Sequence, residues 1–540
     1  MWDPGDWHYR AEGNSSLVIA HNDFPYVLRL QKIAVTDGDK KEKECAFLDD
    51  AVQGECLTSV GQLDESEILR ENSINRSLQF ASDVMLPVIG SEYVSPGCLI
   101  TLPDYFLNSI RLNVEKSRPP NRRKKVLTIG FNSATLLPDF CVTWPQQISK
   151  DPIDGFLPSF ISKLRCFRFH THPTGSVPKA DAVSLCVEIK PKCGFRPSNT
   201  RLYPIKKSVC RYCMHQVTKL KDEQIGRLSA YCPLDLFSGV LSRTRRAIRA
   251  LFEDPQNNLR VFYAREQVFG DKLRDTDLRR LLTTFMFPAA SRSSTAGGAT
   301  GASTSPDEDV LEMLGDVIVE ALWRRGGDGD VVRGDLSSNA DGSAPRNDAD
   351  VGANCRRKTR CLSEGVPLPP GCILERVLSA QKLDALPIED ILMHYETLEK
   401  NSCLFRDQDG PYNTESWAAI RQNVNDSLET DDGKLLHIRR FLIAQTAKDC
   451  SIFISFPKVA SSSLPPSDSS QTDSSHNCGY NSEVSGEKKL SGFGSPYRFA
   501  GEFIFSVHVV DLDPKDCKRI PKYFEDDEII VKTYENYLKE

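Results

Sequence analysis

Glu188-Ile189-Lys190-Pro191-Lys192 places a carboxylate and two ammonium groups at alternate positions of a short stretch. Residues two apart on an extended chain project to the same side, so the three charges aim at one place. A solvent-facing edge strand carries the same pattern, and both readings stand at this point. Two further aspartates border apolar alternation. Asp449, in Lys448-Asp449-Cys450-Ser451, precedes Ile452, Ile454 and Phe456, and Asp511, in Asp511-Leu512-Asp513, follows Phe505, Val507 and Val509. Aspartates at strand ends bring metal-binding carboxylates together, and they equally end strands in turns. Cations beside carboxylates suit phosphoryl transfer: lysine or arginine spreads over the transferring oxygens, carboxylates hold magnesium, and a base orients the incoming hydroxyl. The chain has neither a Gly-x-x-x-x-Gly-Lys-Ser/Thr loop nor the His-Arg-Asp catalytic loop of protein kinases. A densely anionic substrate also requires cations from several segments, for which Arg122, Lys192, Lys219, Lys515 and Arg519 are candidates. Unliganded, such cations are expected to repel one another and leave part of the pocket mobile.

A metal centre is the competing chemistry. Cys210-x-x-Cys213, with His215 and later Cys232, has a spacing compatible with zinc, but no second paired set accompanies it. Cys232, in Tyr231-Cys232-Pro233, reads as the start of a turn. Ordinary free thiols are the favoured reading, in keeping with 17 scattered cysteines.

The elements that must position these groups follow from periodicity. Leu17–Ala20 and Tyr26–Leu30 read as strands flanking a His21-Asn22-Asp23 turn. Residues 65–87, with Ile68, Leu69, Ile74, Leu78 and Val84, have helical spacing. Leu185, Val187 and Ile189 alternate with Cys186, Glu188 and Lys190 in the most regular strand. Ser305-Pro306-Asp307-Glu308 is a capping box opening a helix whose face is Leu311, Leu314, Val317, Ile318 and Leu322. Helices are expected at 373–383, 387–399 and around 434–446. Segments 291–305, 326–350 and 461–491 are rich in Ser, Gly, Pro or Asp and read as flexible insertions. The balance of 40% hydrophobic and 26% charged residues is that of a globular protein. The net charge of −6 argues against general nucleic-acid binding. No apolar run approaches the ~18 residues a membrane helix needs, and the start lacks a secretory pattern, so the chain reads as intracellular.

The blocks that carry chemistry resemble one family in order. Cys186-Val187-Glu188-Ile189-Lys190-Pro191-Lys192-Cys193-Gly194-Phe195 resembles the Glu-x-Lys-Pro-Lys signature of inositol-pentakisphosphate 2-kinases. Arg211-Tyr212-Cys213-Met214-His215-Gln216, Tyr231-Cys232-Pro233-Leu234-Asp235-Leu236-Phe237-Ser238-Gly239 and Pro255-Gln256-Asn257-Asn258-Leu259-Arg260 follow. Thr446-Ala447-Lys448-Asp449-Cys450-Ser451-Ile452, the terminal Asp511-Leu512-Asp513-Pro514-Lys515 and an N-terminal Glu12-Gly13-Asn14-Ser15-Ser16-Leu17-Val18 complete the set.

The resemblance implies an α+β fold of two lobes, residues 1–140 and 141–540, with ATP between them. It implies ATP-dependent phosphorylation of the 2-hydroxyl of inositol 1,3,4,5,6-pentakisphosphate, with magnesium. ATP would meet Gly13, Asn14, Ser15, Ser16, Arg29, Glu188, Lys190 and Arg260. Asp449 would be the catalytic aspartate, Lys190 would sit on the transferring phosphate, and Asp511 would hold the metal. Arg122, Lys192, Lys219, Asn257, Lys515, Arg519 and Tyr523 would hold the inositol phosphates. Taken alone, Asn257 reads as a turn cap, Tyr523 as a core aromatic and Arg519 as a surface residue. Arg122 and Arg123 compete for one role, and Arg122-Arg123-Lys124-Lys125 also has the composition of a nuclear-import signal. A monomer of the cytoplasm and nucleus, bound to neither membrane nor nucleic acid, is the corresponding expectation. Plant members resemble a zinc-binding form with a Cys-x-x-Cys pair ahead of the catalytic aspartate; here that region offers only Cys403, so that zinc is not carried over.

Overall fold

The computed structural model describes residues 2–13, 15–34, 73–127, 132–141, 184–198, 200–270, 276–286, 306–325, 331–332, 365–401, 420, 429–457 and 503–540. Asn14, Cys403 and the segments 291–305 and 461–491 lie outside them. Two antiparallel sheets and a set of helices give an α+β architecture. The first sheet has strands β1 (Trp7–Glu12), β2 (Ser16–His21), β3 (Tyr26–Ala34), β4 (Cys98–Thr101), β5 (Lys125–Leu127) and β6 (Ser133–Pro138). Its order is β1-β2-β3-β6-β4, with β5 paired to the far end of β3. The hairpin read around His21-Asn22-Asp23 is present, Ala20 facing Val27 and Leu17 facing Leu30. Leu17, Ile19 and Leu28 pack with Phe106 and Ile110 of helix α2 (Asp104–Glu115) in a separate core. The helical spacing of 65–87 appears as α1, residues 73–89, with a π-helical turn at Phe80–Met85; residues 65–72 are outside the described set.

The second sheet contains β7 (Ser184–Ile189), β8 (Leu259–Tyr263), β9 (Glu266–Phe269), β11 (Ser451–Pro457) and β13 (Ser506–Val510), ordered β13-β11-β7-β8-β9. The edge-strand reading of 185–190 is overturned. β7 is the central strand, and all six of its residues are buried. Leu185, Val187 and Ile189 enter the main core, each contributing about 1.5–3 kcal/mol of burial. Cys186, on the other face, meets Cys141 and Phe262. Glu188 can be buried because Arg260 faces it on β8, which the sequence pattern of β7 alone does not reveal. The two sheets meet through Asp139-Phe140-Cys141: Ser184 donates to the Cys141 carbonyl at 2.6 Å and Ser455 to that of Phe140.

Helices α3 (Arg211–Lys221), α4 (Pro233–Leu236), α5 (Leu241–Glu253), α6 (Thr276–Met286), α7 (Pro306–Trp323), α8 (Ile373–Gln381), α9 (Ile388–Lys400), α10 (Asp431–Asp449) and α11 (Ile520–Lys539) cover the second sheet or extend from it. α7 begins at the expected Pro306 and buries Leu314, Val317, Ile318 and Leu322. α10 starts on a Thr430 cap and buries Phe441 and Leu442 against Ile391 and Leu398 of α9. α3 packs Met214 and Val217 on Ile530, Val531 and Tyr534 of α11. Within the expected insertion 326–350, β10 (Val331–Val332) pairs with β12 (Phe503–Ile504). No helix among the described residues is long and apolar enough to cross a membrane.

Candidate active site

Three loops converge where the second sheet meets α10 and the first sheet. The first leaves β7. Lys190 reaches Asp511 at 3.0 Å and Glu188 at 3.8 Å, and Lys192 reaches Asp449 at 3.3 Å. The second is the end of α10, which supplies Asp449 and then Ser451 as β11 begins. The third leaves β13 with Asp511, Asp513 and Lys515; Lys515 meets the other Asp449 oxygen at 3.2 Å. β7, β11 and β13 are adjacent in the sheet, with Ile452 opposite both Ile189 and Val509, so their ends deliver these loops to one edge. The Ser451 hydroxyl lies 2.9 Å from Glu188 and 3.2 Å from Asp511. Arg260 completes the group at 3.4 Å from Glu188.

The expected repulsion among the cations is met in part: Asp449 stands between Lys192 and Lys515, whereas Lys219 still feels the charge of Lys192. A carboxylate in the space between two lysines offsets their charges in the unliganded pocket. The protonation preferences follow. Burial pushes the Asp449 carboxyl up, but Lys192, Lys515 and Lys190 outweigh it and hold it below the ordinary carboxylate range. Burial likewise works against ionisation of Asp511, and Lys190, Arg29 and the Ser451 hydroxyl reverse the balance. Lys190 is partly desolvated, yet Asp511 and Glu188 raise its pKa. Asp449 and Asp511 are therefore held as carboxylates and Lys190 as an ammonium ion at neutral pH.

Two members of this group sit in the left-handed backbone region: Lys192 at φ 62° and Asp511 at φ 63°. Non-glycine residues adopt it only where surrounding structure holds them. Gln256, at φ 44°, makes the turn that presents Asn257, and reciprocal amide bonds of 3.0 and 2.9 Å to Gln216 brace that turn. Lys219 lies on α3 near Lys192; burial and the Lys192 charge lower its pKa. Arg519 stacks over Tyr523 at 5.3 Å, and Tyr523 packs edge-on against Phe441 of α10.

The first sheet, α1, α10 and the third loop from Asp513 onward enclose a cleft of about 610 Å³ beside this group. Ser15, Ser16, Arg29, Lys515 and Lys518 are among its lining. Arg29 donates to Ser16 Oγ at 3.1 Å and makes a two-pronged pair with Asp513, joining the sheet to the third loop. The Gly13–Ser16 turn closes with Gly13 N–H donating to the Ser16 carbonyl at 2.9 Å. Beneath it the buried Glu12 carboxylate holds Lys32 at 2.7 Å and Arg118 at 3.1 Å, and Lys32 also donates to the Gly13 carbonyl. Replacing Glu12 with Ala removes the carboxylate shared by two buried cations, leaving Lys32 the Gly13 carbonyl and Arg118 its pair with Glu115, so a loss of about 3 kcal/mol is expected, measured by chemical unfolding. Arg123 donates to the Arg118 and Lys116 carbonyls, whereas the Arg122 charge acts on Tyr9 and on Lys32, which lines the cleft.

Among the described residues, Cys210, Cys213 and Cys232 bring three thiols within 4.8 Å of one another. His215 is not one of that group, and burial with Arg211, Lys219 and Lys192 nearby pushes its pKa down to about 4. Cys210 caps α3 by accepting from Cys213 N–H, and Cys232 precedes α4 at its N-cap position without a side-chain capping bond. The pattern of Cys232 as a turn start thus holds, but the turn folds its sulfur onto the other two.

Sequence reading missed Arg76 and Arg439, which also line the cleft, and the buried side chains that support the loops: Tyr231, Asn258, Gln381 and Ser451. The one local signal was Gln381, a polar residue on the apolar face formed by Ile373, Leu374 and Val377.

A family model described as inositol-pentakisphosphate 2-kinase matches residues 9–529. The inositol-pentakisphosphate 2-kinase of Danio rerio is 30% identical over 98% of this chain and 93% of its own. That of Arabidopsis thaliana is 28% identical over 99% of this chain and 95% of its own. That of Oryza sativa subsp. japonica is 26% identical over 98% and 94%.

Proposed function

The chain belongs to the inositol-pentakisphosphate 2-kinase family, and from that membership we propose that it transfers the γ-phosphoryl group of ATP to the 2-hydroxyl of inositol 1,3,4,5,6-pentakisphosphate, giving inositol hexakisphosphate. The observation that carries the reading is Asp449 held between Lys192 and Lys515, a carboxylate flanked by cations suited to phosphate. In this reading residues 1–140 and 141–540 form two lobes, and ATP lies between them under Gly13, Asn14, Ser15 and Ser16. Arg29 and Arg260 take phosphate oxygens, Glu188 takes the ribose, and Lys190 takes the phosphoryl group in transfer.

Asp511 and the Ser451 hydroxyl beside it offer hard oxygen donors, which fits a hard divalent cation. Asp511 would hold magnesium there, and the ion when bound would supply charge neutralisation on the ATP phosphates. Catalysis by the protein is positioning and electrostatics. Lys192, Lys219, Asn257, Lys515, Arg519, Tyr523 and Arg122 hold the inositol phosphates. As the phosphates engage Lys192 and Lys515, these lysines release Asp449, whose basicity then rises where the 2-hydroxyl proton must go.

Neutralising Lys515 and Arg519 together is expected to abolish most of the rise in melting temperature produced by pentakisphosphate while sparing the rise produced by ATP. Each charge-assisted bond lost is worth about 1.5–3 kcal/mol, comparable to the ~2.7 kcal/mol stabilisation at a hundredfold ligand excess over Kd. A full shift with pentakisphosphate in the double variant would remove this segment from the substrate site.

A further inference from the structure

The backbone of Lys190-Pro191-Lys192 is held from behind by three buried or largely buried side chains. Asn258 donates to the Lys190 carbonyl at 2.9 Å, Tyr231 to that of Pro191 at 2.7 Å, and Gln381 to that of Lys192 at 2.8 Å. Gln381 differs from the other two. Fully buried at the end of α8, its amide also accepts from Gly194 N–H at 2.8 Å and donates to the Ala447 carbonyl at 3.2 Å. Ala447 lies two residues before Asp449, in the last turn of α10, where helix carbonyls have no partner within the helix. A single planar amide thus connects the loop bearing Lys190 and Lys192 to the helix end bearing Asp449. Asp384, just beyond α8, pairs with Lys448 and ties the same helix end a second time. Neither joined segment is free to adjust. Lys192 is held in the left-handed region, and a Cβ at Gly194 would fall 2.2 Å from the Phe237 ring.

We infer that Gln381 is a positioning residue for the transfer reaction, setting the separation between Lys192 and Asp449 by bridging the backbones that carry them. It touches neither substrate. The inference rests on the kinase reading above and adds to it a residue that acts through the backbone. A glutamine is suited to the task because two donors and one acceptor on one rigid group meet two carbonyls and one N–H. Glutamate loses the donors, and methionine loses all three bonds at similar volume.

Gln381→Met should lower kcat per folded molecule at least tenfold, with KM for ATP changed less than twofold, because Glu188 and Arg260 are held by the strand pair β7–β8. A merely structural glutamine would lower the melting temperature and the folded fraction while leaving kcat per folded molecule at the wild-type value. That result would overturn the proposal. Should the Met variant fail to fold, Gln381→Glu, which keeps the acceptor for Gly194, reads the same two quantities with the same expected split. Wild-type enzyme assayed in parallel separates the two ideas. No transfer by wild type refutes the kinase reading, whereas active wild type with unchanged kcat in the variants refutes only the role of Gln381.

Discussion

Asp449→Asn is expected to lower transfer to inositol pentakisphosphate by roughly 10²–10⁴-fold, the usual worth of a positioned general base. The amide has the same shape but cannot accept a proton at neutral pH. The fold should survive, because the Asp449 side chain is 59% exposed and its pairs with Lys192 and Lys515 are of the solvent-screened kind. Such pairs are worth about 0–1 kcal/mol each. The variant should also bind pentakisphosphate at least as tightly as wild type, since both lysines are released to the phosphates. Steady-state kinetics and a binding isotherm measure the two halves. Turnover above a tenth of wild type, or weakened substrate binding, would count against a base at this position.

Lys190→Met should cost about 10²–10³-fold in kcat, as expected for one preorganised charge aimed at the transition state. The geometry divides the two lysines of the loop: Lys190 faces Asp511 and Glu188, and Lys192 faces Asp449. Loss of Lys190 is therefore expected to leave the pentakisphosphate thermal shift nearly intact and to reduce turnover at saturating substrate. Single-turnover measurements with both substrates saturating isolate that step. Unchanged turnover would take Lys190 out of the mechanism. A lost substrate shift with normal kcat would exchange the roles of the two lysines.

Much of the site was legible because its groups sit at the ends of strongly patterned strands. Glu188, Lys190 and Lys192 follow one alternation, and Asp449 and Asp511 border two others, so adjacency of β7, β11 and β13 was enough to bring them together. What could not be read were bonds between distant segments. Arg29 pairs with Asp513 across 484 positions, and Gln381 meets Gly194 across 187; neither partner carries a local mark of the other. The expectation of mutually repelling cations holds between Lys192 and Lys219 but missed, for the same reason, the carboxylate between Lys192 and Lys515. Net charge along a segment says nothing about carboxylates that folding inserts between lysines. The choice between an edge strand and a central one also depended on a partner, Arg260, that only the sheet register places opposite Glu188.

The helices were legible where apolar residues recur on one face, as in α7, and less so where the spacing was irregular. α1, described from residue 73, carries a π-helical turn, which shifts the phase of its apolar face and blurs a 3.6-residue pattern. The three-thiol cluster shows the converse failure. Cys210 and Cys213 were visible as a pair, but Cys232 joins them only because the fold sets the residues preceding α3 and α4 side by side, their sulfurs 3.8 Å apart.

The most direct measurement of the central claim is product analysis. The purified protein is incubated with Mg-ATP and inositol 1,3,4,5,6-pentakisphosphate, and the inositol phosphates and nucleotides are then separated. Formation of inositol hexakisphosphate, with the new phosphate on the 2-position and one ADP per molecule formed, is the predicted result. Pentakisphosphate recovered unchanged, by a protein that still binds both ligands, would contradict it.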